Sequence, residues 1–114
     1  MKVFVYFNLH KKCWSVKALE GERKGRVIRH ALELSMRDVV FKVSEAGRQR
    51  VLAEKRKNVH AGVVGYLDEP VVRDNWTLVR YNPYIAGHFF NCDSGHSVTK
   101  AERAVLADRK VWIA

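Results

Sequence analysis

The chain has 114 residues, 47% apolar and 29% charged, enough for one buried core and unlike the composition of a disordered chain. No apolar run nears the roughly 18 residues of a membrane span, and the apolar part of Met1–Asn8 is too short for a signal peptide and lacks a small-residue cleavage site. Two cysteines make no disulfide framework, so the expectation is a single domain over residues 1–114 with free thiols, in the cytoplasm.

The net charge is +9, and it is unevenly placed. Residues 1–60 hold 15 basic and 6 acidic side chains, whereas residues 61–114 hold 6 of each. A positive field of this kind concentrates anions near one region. Phosphate is the common biological target, on a nucleic acid, a nucleotide or a membrane surface.

Val3, Val5, Phe7 and Leu9 alternate with Lys2, Phe4, Tyr6, Asn8 and His10, the period of a strand. His10-Lys11-Lys12 reads as a turn, and Cys13–Leu19 as a second strand. Residues 20–25 form a polar loop with two glycines, suited to a longer hairpin. Arg26–Leu34 alternates again, and Val39–Val43 is β-branched and aromatic. Four antiparallel strands in meander order are the simplest arrangement.

The period then changes, which predicts a helix over residues 44–57. Ser44 is a natural cap, with Glu45 in the positive first turn. Lys55-Arg56-Lys57 would lie in the last turn, and Asn58 would take the left-handed closing position. Gly47 weakens the helix by roughly 1 kcal/mol relative to Ala, which suggests a close approach there. Arg48 and Lys55 border the face carrying Val51 and Leu52, and Arg50 lies opposite. Val59–Leu67 and Trp76–Tyr81 read as further strands, broken by Asp68-Glu69-Pro70. Residues 82–98 read as a loop. Thr99 and Glu102 have capping-box spacing, which predicts a short helix near 100–106, and Val111–Ile113 reads as a closing strand.

His30 falls on a strand face with Ile28 and Leu32, and His60 on a face with Val64 and Tyr66. Each alone reads best as a histidine at the edge of the core. As a pair beside Lys55 and Arg56 they suggest more. Two imidazoles and a cation can cleave a phosphodiester without metal when a 2′-hydroxyl is the nucleophile. Trp76, Tyr81, Tyr84, Phe89 and Phe90 offer faces for bases, and Asn82 can pair with a base edge. His88, Cys92 and His96 are spaced four apart, but the glycines oppose the helix that would align them for zinc. No Walker loop, dinucleotide-binding fingerprint or acidic cluster is present.

The run from Phe41 to Ala61 includes Ser44-Glu45-Ala46-Gly47-Arg48 and Lys55-Arg56-Lys57-Asn58-Val59-His60. With Asn8-Leu9-His10-Lys11-Lys12, Gly25-Arg26-Val27-Ile28-Arg29-His30-Ala31 and Tyr81-Asn82-Pro83-Tyr84, it resembles a family of small proteins encoded by tailed bacteriophages and prophages. The resemblance covers most of residues 1–84 and leaves out 85–98. It implies a virus-encoded protein acting in the cytoplasm of a bacterial host, in host takeover or against host defence. It assigns no catalytic residue.

The reading is therefore an α+β domain, a curved antiparallel sheet packed around one central helix. The leading function is binding of a phosphate-bearing nucleotide, such as a host immune signal, with no cofactor and no metal. Arg48, Lys55 and Arg56 would hold phosphate, and Tyr81, Asn82 and Tyr84 would meet the base. The ligand would be sequestered, or cleaved by His60 and His30. The alternatives are a non-catalytic nucleic-acid-binding protein and an inhibitor docking on an acidic host defence protein. A second copy of the chain is a further partner to test, and no membrane is expected.

Overall fold

The computed structural model describes residues 1–70 and 76–114. Its strands are β1 (Lys2–Asn8), β2 (Cys13–Ala18), β3 (Val27–Ala31), β4 (Glu33–Val43), β5 (Ala61–Asp68), β6 (Thr77–Arg80), β7 (Phe89–Asn91), β8 (Ser97–Val98), β9 (Lys100–Ala107) and β10 (Lys110–Ile113). One helix, α1 (Glu45–Glu54), lies between β4 and β5. The strands form one sheet in the order β3-β2-β1-β5-β4-β9-β10-β6-β7-β8, antiparallel throughout. It is an α+β fold whose sheet stays open, with β3 and β8 at its edges.

The sheet curls around its own apolar side. Val3 and Val5 of β1, Trp14 and Val16 of β2, and Val63 of β5 meet Leu106 of β9 and Val111 of β10 in one buried cluster. In β4, Leu34 and Met36 are buried before a register shift, and Val39 and Phe41 after it. The odd spacing between the two pairs needs the bulge, where Asp38 takes φ 50°, a left-handed conformation that aspartate tolerates better than most residues.

Several expectations are corrected. The first four strands are not a meander: β1, β2 and β3 are, but β5 separates β1 from β4. Arg26–Leu34 is not one strand, because the chain breaks at Leu32, which is 78% exposed. β4 must bury its apolar residues centrally, whereas β3 exposes Val27, Arg29 and His30 and serves as an edge. Residues 100–106 form no helix. They belong to β9, which pairs with β4 on one side and β10 on the other. Ala104, Val105, Leu106 and Ala107 are all buried, and a run buried on both faces suits a central strand. Within 82–98, β7 and β8 form a small hairpin.

The helix is the connection of a β4–β5 hairpin. Val43 pairs with Ala61, and the Ser44 amide donates to the His60 carbonyl at 2.6 Å. Ser44 caps the helix as expected, its hydroxyl accepting from the Gly47 amide at 3.2 Å. The other end differs. Lys55, not Asn58, takes the left-handed position, with φ 57°. Chain length explains this. A helix from 44 to 57 would climb about 21 Å and leave three residues, about 10 Å of extended chain, to return. Ending at Glu54 gives a climb of about 15 Å and a six-residue return of about 20 Å.

Candidate functional site

The helix is held down by side chains the sequence had singled out. Gly47 is buried, and a Cβ there would stand 2.5 Å from His60 Cβ. His60 Nδ1 lies 3.1 Å from both the Asn58 carbonyl and Asn58 Oδ1. With two acceptors there, Nδ1 carries the proton, and Nε2 accepts from the Tyr81 hydroxyl at 2.7 Å. Tyr81 stacks on Phe89 with centroids 5.2 Å apart. Burial pushes its phenol above the ordinary range, Arg48 opposes that rise and Glu45 adds to it. Arg48 donates from Nε to the Pro83 carbonyl at 3.0 Å and pairs with Glu45 at 3.2 Å. A hydrogen bond from Gln49, with the Arg48 charge, holds the Glu45 carboxyl below its usual range against desolvation.

His60, Tyr81 and Arg48 are thus brought together, but as a structural network whose polar atoms are engaged. Asn82 accepts from the Tyr84 amide at 2.9 Å and shapes the turn that leaves Tyr84 63% exposed. Lys55 and Arg56 are exposed on the return segment. His30 belongs elsewhere. Its Nδ1 is 2.9 Å from Ser15 Oγ, which also accepts from Asn8 Nδ2 at 3.2 Å. Three strand spacings, roughly 14 Å, separate β3 from β5. His30 and His60 therefore do not share one phosphodiester. Among the described residues no group of three or more His, Cys, Asp or Glu could hold a metal ion.

The outer face of the sheet carries the more open feature. Tyr6 faces Ser15 and Phe4 faces Lys17 across β1 and β2. The Phe4 and Tyr6 rings are 5.8 Å apart. Gly62 makes room beneath: a Cβ there would meet the Phe4 ring at 2.6 Å. Lys42 pairs with Gly62 from the other side. Phe4, Tyr6, Lys17 and Lys42, together with Ser44, Val59 and His60, line a groove of about 540 Å³, and no carboxylate lines it. Lys17 and Lys42 form no ion pair with a described residue. Sequence reasoning missed this surface, although its signal was present. Phe4 and Tyr6 occupy the positions of β1 that alternation reserves for polar groups.

The fold and this surface define a small basic β-sheet domain with an aromatic outer groove. Its whole length, residues 1–114, matches the family described as Mycobacterium phage L5 gene 82 protein. The chain belongs to that family of small phage proteins. It is 39% identical over 118 residues to the Gene 82 protein of Mycobacterium phage L5, covering 97% of this chain and 94% of that one. The match includes residues 85–98, which the resemblance had left out. No solved structure matches the chain. No helix among the described residues is long and apolar enough to cross a membrane.

Proposed function

We propose that this phage protein binds single-stranded nucleic acid along its outer sheet face, without cleaving it. The observation that supports this most is the pair of rings, Phe4 and Tyr6, on the floor of a groove flanked by Lys17 and Lys42 with no acidic wall. Bases of any identity stack on such rings, and lysines follow the backbone charge. Arg37, set over Tyr66 at 4.9 Å and paired with Asp38 at 3.1 Å, adds a cation–ring contact on β4 and β5. The separation of His30 from His60 favours binding over cleavage. A host nucleotide signal is a smaller ligand of the same chemistry, and its sequestration in the infected cytoplasm is the counter-defence form of this reading. The open groove favours the polymer.

Anisotropy of labelled oligothymidylate and oligouridylate at two salt concentrations tests it. Affinity should fall steeply with salt. Lys17→Gln with Lys42→Gln should make the log–log slope shallower by about 1.4, at about 0.7 per lost phosphate contact. Arg50→Ala, on the exposed side of α1, should change little. Unchanged binding in the double-lysine variant removes the proposal. A mononucleotide bound as tightly as the oligomer replaces it with the nucleotide-signal reading.

A further inference from the structure

A second cavity, of about 490 Å³, opens on the inner side of the curled sheet. It lies where the end of the β1–β2 hairpin faces β6 and the β9–β10 turn. Phe7 and Trp14 form one wall, edge to face at 5.3 Å, and Tyr81 and Phe89 form part of another. Arg80, Arg109 and Lys110 also line it, against the single carboxylate of Asp108. The Arg109 guanidinium sits 4.9 Å over the Phe7 ring. Trp14 is only 5% exposed, and its Nε1 has no hydrogen-bond partner among the described residues. The Tyr81 hydroxyl, in contrast, is satisfied by His60.

We infer that this cleft is a binding site for a small aromatic anion, bordering the outer groove at Tyr6 but lined by other cations. Each part of the ligand answers something in the wall. A flat ring fits between aromatic side chains that offer edges and faces. The anionic group sits at the cationic rim, where Arg109 is already held by Phe7. An acyl chain would satisfy the cations but leave the aromatic wall without a ring to pack on. The inference does not depend on nucleic-acid binding at the outer face, because the two sites use different cations.

Anilinonaphthalene sulfonate, an aromatic anion that fluoresces on leaving water, is the probe. Titrated into the intact folded protein, it should bind saturably with one equivalent. Phe7→Leu keeps the wall apolar but removes a ring, and should weaken binding about fivefold, the ordinary worth of one aromatic contact. Arg109→Gln with Lys110→Gln, on an exposed turn and not dependent on core packing, should weaken it at least as much. Lys17→Gln with Lys42→Gln should leave it unchanged. Absence of saturable binding overturns the inference. So does equal affinity in the Arg109/Lys110 variant, or a loss that follows the outer lysines instead. Should Phe7→Leu melt early, the Arg109/Lys110 variant decides alone.

Discussion

A methyl group at position 47 would improve an isolated helix by roughly 1 kcal/mol, yet here it would press on His60 Cβ from 2.5 Å. His60 cannot retreat easily, because both its nitrogens are engaged, by Asn58 and by Tyr81. Gly47→Ala should therefore destabilise the protein by about 1–3 kcal/mol, the usual result of overpacking, seen as a lower midpoint in denaturant melts. The neighbouring phenol makes a pH-dependent contribution. Tyr81 ionises above its ordinary value of 10.0 because burial disfavours the phenolate. The stability linked to its bound proton is complete below that value and is lost as pH rises through the higher folded value. Melting temperature should thus fall more steeply above pH 10 in the wild type than in Tyr81→Phe. That variant keeps the stacking on Phe89 but should lose about 1 kcal/mol at neutral pH with its hydrogen bond to His60.

At the level of elements, α1 is an excursion from a hairpin rather than a pillar of the core. It buries only Gly47 and Val51, while Val43 and Ala61 already pair across its base. Replacing residues 44–60 by Asn-Gly, a turn suited to a tight hairpin, should leave a protein with a sheet-type circular dichroism spectrum and a cooperative melt. The same variant should bind oligonucleotides more weakly, since Ser44, Val59 and His60 line one end of the outer groove. Failure to fold would make the helix a core element after all. The sequence signals near this helix were of unequal value. Its start was legible because Ser44 caps locally. Its end was not, because the need to return to Ala61 is a constraint of the hairpin and leaves no mark on residues 55–58. The same limit explains β9. Thr99 and Glu102 have the spacing of a cap, but the Thr99 carbonyl accepts from the Phe41 amide at 2.8 Å, a sheet contact 58 positions away in sequence. His30 and His60 looked alike in pattern, and only the strand order placed them apart.

Across the whole molecule, the curl of one sheet produces two surfaces of different character. The outer one is aromatic and open, with Lys17 and Lys42 at its groove. The inner one closes on apolar side chains and opens to solvent at the cleft beside Arg109. The charge imbalance of residues 1–60 was legible as a bias toward anions, and it does supply the lysines of the outer groove. The cations of the inner cleft, Arg80, Arg109 and Lys110, come instead from the half whose net charge is zero. A count over a segment conceals them, because the Asp93 and Glu102 charges that balance them in the sum are not among the residues lining that cleft.

The strand order also sets a timetable for synthesis. Lys2 pairs with Tyr66, and Glu33 with Ala107, so the middle of the sheet is assembled from segments far apart in the chain. Such non-local pairing is slow, on the order of milliseconds to seconds. While the ribosome is still delivering β5, the first hairpin has Val3, Val5 and Trp14 uncovered on one side and Phe4 and Tyr6 on the other. While β9 is awaited, β4 has a bare edge where its last neighbour will dock. The nascent chain therefore passes through a period when it exposes more apolar surface and open strand edge than the finished protein does, and the last quarter of the sequence ends that exposure.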